Sequence, residues 1–324
     1  MNRVVSVVLP LAAVLLPLTM MDGRTYVTLT VAGLAMGMLI FLVAVGLTLI
    51  FGLMDVLNFA HGAVFSWGAY VGFAVVVQLN RHLGWGERPS VAANALLLLV
   101  AVVVAMAAAM VLGMLIERVI VRPVYGQHMF QILITLGATI VIEELIRMAW
   151  GPNDQVLPLP ATFQGAWDVA DVIVVRFPVI AIALGVVVYA AIQLVLNRTR
   201  IGLIVRAGVE NREVVQVLGH NVSRYFTWVF AAGSALAALG GLMWGMFMQS
   251  VRPAMGAEQL IFAFIVVIIG GLGSVTGSLV GALLVGLSYN YVAFLVPKAA
   301  IGVNMALMVL ILLVRPTGLF GAGK

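Results

Sequence analysis

The chain contains no cysteine, only four histidines, and few charges: 12 acidic and 17 basic residues among 324, or 9%. Without cysteine there can be no disulfide, thiolate metal site or cysteine nucleophile, and no redox compartment can be read from the sequence. His61, His82, His128 and His220 form neither an HExxH motif nor a pair at metal-ligand spacing. No metal or other cofactor is therefore expected. A soluble domain of ordinary composition is about 25% charged, far more than this chain. Also missing is any polar stretch long enough to fold as a separate soluble domain, so residues 1–324 are read as a single transmembrane domain. The net charge of +5 is no nucleic-acid signature, because basic residues in such a chain collect in the loops on one side of a bilayer.

Long apolar runs fill the rest. Hydrophobic residues make up 64% of the chain, and Val91 to Ile116 carries no charge at all, whereas roughly 20 apolar residues suffice to cross a bilayer. Hydropathy and helix breakers predict about ten transmembrane helices, near 4–21, 28–51, 56–79, 91–116, 129–150, 178–196, 225–247, 259–275, 277–296 and 299–314. The fold class expected is an all-α polytopic membrane protein with some helices broken or re-entrant. The span at 56–79, rich in small and polar residues, is the candidate for a break. The first run follows Arg3, holds Pro10 and Pro17, and has no small-x-small cleavage site before Asp22, so it reads as an uncleaved span.

Loop charges orient the chain. Residues 197–224 hold Arg198, Arg200, Arg206, Arg212 and Arg224 against Glu210 and Glu213, while 151–177 hold Asp154, Asp168 and Asp171 against Arg176. The first segment is expected in the cytoplasm and the second outside, which places Arg118, Arg122 and both termini in the cytoplasm.

Three polar or glycine-rich stretches stand out. In LNFAHG, residues 57–62, Asn58 and His61 follow Asp55 at three-residue intervals and precede Gly62. On one continuous helix these polar groups would share about a third of the circumference. Facing lipid they would be costly, so they are expected to line a translocation path or to form the buried core of a helix bend. Gly270, Gly271, Gly273 and Ser274 are too dense in glycine for a helix interior and predict a break between spans. A weak internal echo links 52–72 with 270–286, each a glycine-ended span, a hinge and a small-residue helix. The third stretch, Arg206 to Phe226, predicts a short amphipathic helix from about Glu210 to Leu218, stopped by Gly219, and offers a docking surface between two spans. Glu143 and Glu144 lie in an apolar span with Arg147 three and four residues on, which favours a paired cluster near a helix end over a proton relay. The tail GLFGAGK, Gly318 to Lys324, fits the opening of a phosphate-binding loop but lacks the preceding strand, the Ser or Thr and the following helix. ATP hydrolysis therefore belongs to another subunit.

GLTLIFGLMDVLNFAHGAVFSWGAY (46–70), LITLG (133–137), WGP (150–152), RAGVENREVVQVLGHNVSR (206–224), RPAMG (252–256), GGLGSVTGSLVG (270–281) and RPTGLFG (315–321) occur in this order. Together they resemble the permease subunits of ABC importers for branched-chain amino acids, a group that also holds urea and short-amide permeases. The resemblance implies the ABC importer permease fold in a bacterial or archaeal cytoplasmic (inner) membrane, and a non-catalytic subunit. It also implies a second homologous permease, two cytoplasmic ATPase subunits and an exterior solute-binding protein as partners. In its light, the segment about 197–224 resembles an ATPase-coupling element carrying Arg206, Glu210, Arg212, Glu213, Leu218 and Gly219. Glu213 and Gly219 match the degenerate Glu-Ala-Ala…Gly pattern, with Val214 and Val215 in place of the alanines and His220 where an aliphatic residue is common. Phe262 stands near where relatives often carry lysine. The rival expectation is a stand-alone secondary transporter or channel for a small polar solute, with Glu143 or Glu144 coupling an ion.

Overall fold

The computed structural model describes residues 17–169, 172–200, 202–204, 207, 215 and 221–321. Among them are nine α-helices of 15 residues or more: α1 Gly23–Met54, α2 Ala60–Leu83, α3 Val91–Leu115, α4 His128–Trp150, α5 Arg176–Arg198, α6 Val222–Met248, α7 Met255–Gly270, α8 Val275–Leu295 and α9 Ala300–Val314. Seven are long and apolar enough to cross a membrane, and α7 and α9 are shorter apolar helices. The protein is thus a polytopic helical membrane protein. Of the span expected at 4–21, residues 4–16 lie outside the described residues and Pro17–Thr19 form a single 3-10 turn; Arg206, Glu210, Arg212, Glu213, Leu218 and Gly219, and all but Val215 of the helix expected around them, also lie outside the described residues.

Two small antiparallel ribbons were not anticipated: β1 Gln155–Val156 pairs with β4 Ser250–Val251, and β2 Ala166–Val169 with β3 Val172–Val175. The first ties the long 151–175 connection to the turn after α6. Local chemistry sets several helix starts. Asp22 caps α1 by accepting from the Thr25 N–H at 3.1 Å; hydrogen bonds from Thr25, its side chain first and its backbone second, hold the Asp22 carboxyl below its usual range. Ser90 caps α3 and Ser274 caps α8 in the same way.

The axis of the bundle is α1. Its 32 residues would span roughly 48 Å, and from Ala35 to Leu47 every residue is buried, so its packing is set by small residues rather than by one apolar stripe. A Cβ on Gly33 or Gly37 would strike the α8 backbone at Leu287 or Ala282, and one on Gly46 would lie 2.5 Å from the Gly233 carbonyl of α6. Glycine lets each neighbouring backbone approach α1 directly.

The break expected between the spans 28–51 and 56–79 forms a few residues later, and Asp55, Asn58 and His61 do not share a helix. α1 ends at Met54, Asp55 turns left-handed at φ 53°, and α2 begins only at Ala60. The chain re-enters the bundle through 55–59, since His61 Nε2–H donates to the Val43 carbonyl at 3.0 Å, eleven residues and roughly 16 Å back along α1. Beyond this non-helical entry, α2 is an unbroken helix of 24 residues, not a re-entrant stub.

The same event recurs with the opposite direction. α6 ends at Met248, Gln249 turns left-handed at φ 54°, and α7 begins at Met255. Asp55 and Gln249 are the non-glycine residues of positive φ among those described. Gly62 stands seven residues after the first and Gly256 seven after the second, and these two glycines pack on each other. Around them α1 packs on α8 as α6 packs on α3, and α2 on α3 and α4 as α7 on α8 and α9. α1 and α6 run antiparallel, so the two sets form an inverted repeat. The echo between 52–72 and 270–286 therefore lay in the wrong register: 55–62 matches 249–256.

Candidate functional site

The first turns of α2 and α7 meet in the middle of the bundle. Ser66 Oγ accepts from the Gly256 N–H at 2.9 Å and donates to the Pro253 carbonyl at 2.9 Å, and the Tyr70 hydroxyl donates to the Val251 carbonyl at 3.3 Å. These bonds satisfy backbone groups that the broken helix leaves exposed in an apolar interior. Replacing Ser66 with alanine orphans both partners and is expected to destabilise the protein by about 1–3 kcal/mol, read as a lowered melting temperature of the purified protein.

Asn58 and His61 are both 0% exposed. His61 Nδ1 and both amide atoms of Asn58 have no partner among the described residues, and nor does Gln259 Oε1 on the first turns of α7. Buried polar groups are normally paired, so this concentration of free donors and acceptors marks the junction as the place where a polar guest or water would gain most. Gly62 belongs to the same junction. Asp55 does not: it is exposed at the other end of the entry segment, 3.6 Å from His128. The break expected at 270–274 forms, with Gly271 and Gly273 at φ 99° and 81°. It packs elsewhere, however. Gly273 lies on Gly52, while Leu319 and Phe320 donate backbone N–H bonds to Ile269 and Gly270, so the described residues after α9 close that end of the bundle.

Two cavities flank α7 on opposite faces. One, of about 430 Å³, lies against Phe264, Val267 and Ile268 and reaches Asp55, His128 and Leu272. The other, of about 440 Å³, lies against Met255, Glu258, Gln259 and Phe262, residues spaced to share one helical face. Into this second cavity come Asp154 from the long connection, Arg252 from the α6–α7 turn, and Met36 and Trp244. Arg252 and Glu258 form a 2.7 Å ion pair, each about half exposed at 51% and 50%. Charges of both signs beside an apolar wall suit a small zwitterion with an apolar side chain: the guanidinium faces a carboxylate, and the acidic groups face an ammonium. Phe262 lies edge-on to Tyr289 at 6.2 Å between centroids, an aromatic wall at that position.

Over residues 29–314 the sequence matches the profile of the family described as "Branched-chain amino acid transport system / permease component". The chain belongs to that permease family. The permease is 29% identical over 299 residues to the high-affinity branched-chain amino acid transport system permease protein LivH of Escherichia coli K12, covering 89% of this chain and 93% of LivH. It is 28% identical over 301 residues to BraD of Pseudomonas aeruginosa, covering 91% and 96%. A shorter match, 33% over 110 residues and 32% of this chain, links it to the ribose import permease protein RbsC of Haemophilus influenzae. No solved structure matches it significantly.

Sequence reasoning passed over Arg252, Glu258 and Gln259. Their signal was present in RPAMGAEQL (252–260): an arginine, a small-residue turn, and an acid and amide entering an apolar helix. The family and these relatives are permease components of transport systems, which is consistent with a non-catalytic role.

Proposed function

We propose that this permease is one folded unit that forms the path for an amino acid, branched-chain by the relatives' names, in an ATP-driven importer of the bacterial or archaeal cytoplasmic membrane. It works with a second homologous permease, two cytoplasmic ATPases and an exterior binding protein, with both termini in the cytoplasm. The carrying observation is the Arg252, Glu258 and Asp154 cavity with its apolar wall, set beside a junction of two broken helices. The charge bias of the loops puts that cavity on the exterior side, where the binding protein delivers solute. Asn58, His61 and Gly62 lie one step inward and hold the bend past which solute moves. Asp55 and the Gly270, Gly271, Gly273 and Ser274 turn border the opposite cavity, on the way out. Rocking of the two inverted halves about the Gly62–Gly256 contact would alternate access.

Coupling falls to Arg206, Glu210, Arg212, Glu213, Leu218 and Gly219, which lie between α5 and α6. Gly219→Pro or Arg212→Glu is expected to leave the permease inserted while lowering solute-stimulated ATP hydrolysis at least severalfold; full stimulation in both variants would remove the coupling role. The stand-alone carrier is less well supported, because Arg147 sits 3.2 Å from Glu144 and 3.9 Å from Glu143, as in a paired cluster near a helix end. Purification through a tag on this chain, followed by ATPase assay in liposomes with candidate binding proteins, tests the assembly. A chain that comes out alone would refute it.

A further inference from the structure

At the end of the bundle rich in arginine, α3 runs into a π-helical turn, Ile116–Val121. Within this turn Glu117 faces inward, fully buried, and accepts from the Tyr125 hydroxyl at 2.6 Å and Thr227 Oγ1 at 2.8 Å. Arg118 and Arg122 face outward with Arg224 of α6, all three exposed. These arginines share a cavity of about 310 Å³ with Asn221, Ser223 and Thr227, and it is floored by Met114 and Trp228. No ion pair engages the three guanidiniums among the described residues. The carboxylate beside them in sequence is occupied by its two hydroxyl donors.

Met106, Met110 and Met114 recur at four-residue intervals on α3, and Trp228, Ala232 and Leu236 do so on α6, so each set lies on one helical face. Met106, Met110, Ala232 and Leu236 line a second, wholly apolar groove of about 320 Å³, closed on its far side by Ala191 and Val195 of α5. The apolar groove thus follows the basic chamber one helical turn further along α3 and α6. Trp228, 53% exposed, stands between the two, the level at which tryptophan favours a membrane interface.

We infer that this is a binding site for an anionic phospholipid, with its headgroup phosphate among Arg118, Arg122 and Arg224 and an acyl chain in the groove between α3, α5 and α6. A free phosphate would satisfy the arginines and leave the groove empty. A partner protein in the aqueous phase would reach the arginines and not the groove. Basic chambers between helices at a membrane surface are suited to such headgroups. The site is separate from the solute path and stands whichever solute is carried.

The test is a titration of the full-length chain, purified and depleted of lipid, with dioleoylphosphatidylglycerol or dioleoylphosphatidylcholine, followed by native mass spectrometry. Each arginine is expected to contribute about fivefold, so wild type should prefer the anionic lipid on the order of a hundredfold. Arg118→Gln/Arg122→Gln/Arg224→Gln should bring that preference near unity, and the corresponding triple lysine variant should keep most of it. Ala232→Phe should weaken the anionic lipid severalfold by filling the groove. If the triple glutamine variant is recovered poorly, Arg122→Gln alone at its exposed position should lose about fivefold. Equal binding of both lipids by wild type would overturn the site, as would a preference retained by both the triple glutamine variant and Arg122→Gln. Displacement of the lipid by millimolar inorganic phosphate, with Ala232→Phe without effect, would make it a free-anion site. A triple variant that keeps its lipid preference but loses co-purifying ATPase would make the arginines a protein contact; either result refutes the lipid assignment.

Discussion

Gly256→Leu is expected to prevent the bundle from closing. A Cβ at 256 collides with the Gly62 carbonyl, and a Cβ at 62 would lie 2.6 Å from the Gly256 carbonyl oxygen. Both obstacles are backbone, so no rotamer change relieves them. Overpacking in a core typically destabilises by about 1–3 kcal/mol and sometimes more, against a total stability of roughly 5–15 kcal/mol. Here a whole leucine must be placed where a methyl group has no room, and the helices must separate at the centre of the inverted repeat. Loss of most membrane-inserted, detergent-extractable protein is expected for Gly256→Leu and for Gly62→Leu. Gly137, with nothing within 4 Å of its built Cβ, is the control: Gly137→Leu should be recovered and should melt as wild type does. Normal recovery and melting of Gly256→Leu would show that the two helix starts do not meet.

The second large effect concerns the mixed-charge cavity. Removing a charged hydrogen-bonding partner of the solute loses about 1.5–3 kcal/mol, so Arg252→Ala and Glu258→Ala should each lower solute uptake by roughly tenfold to a hundredfold. Folding should be nearly unaffected, since exposed ion pairs contribute about 0–1 kcal/mol. The charge swap Arg252→Glu/Glu258→Arg separates two roles. If the residues serve only each other across 2.7 Å, the swap restores uptake. If each faces an opposite end of a zwitterion, the swap reverses the polarity of the site and uptake stays low, as expected here. Asn58→Leu, which changes the junction without touching the charges, should also reduce uptake while the protein remains folded.

How much of this was legible beforehand follows from the kind of signal each feature gives. Spans showed as apolar runs because crossing hydrocarbon imposes length and composition, and the observed helices from α2 to α6 start and stop within a few residues of the expected ones. The break at Gly270 to Ser274 showed because dense glycine opposes helix. The break after α1 showed as the gap between the spans 28–51 and 56–79, but its extent to Phe59 did not, because that has a tertiary cause: nothing in LMDVLNFA forbids a helix, and it is the His61 bond to Val43 and the Gly62 contact with Gly256 that fix where α2 begins. Asn58 and His61 were recognised as buried polar groups, yet were grouped with Asp55 by helical spacing across residues that are not helical. The inverted repeat was sought in the wrong register because its markers are two left-handed residues, Asp55 and Gln249, with no side-chain chemistry in common. Arg252 and Glu258 lie near the start of a short helix, where charge looks like ordinary capping until Asp154 is brought to the same cavity by the β1–β4 pairing.

The most direct test of the account is uptake of radiolabelled leucine by liposomes holding the complex purified through this chain, with binding protein outside and ATP inside. The account predicts uptake that requires both ATP and the binding protein and that falls at least tenfold in Arg252→Ala. Leucine movement by the isolated chain without ATP, at the same rate in wild type and Arg252→Ala, would contradict it.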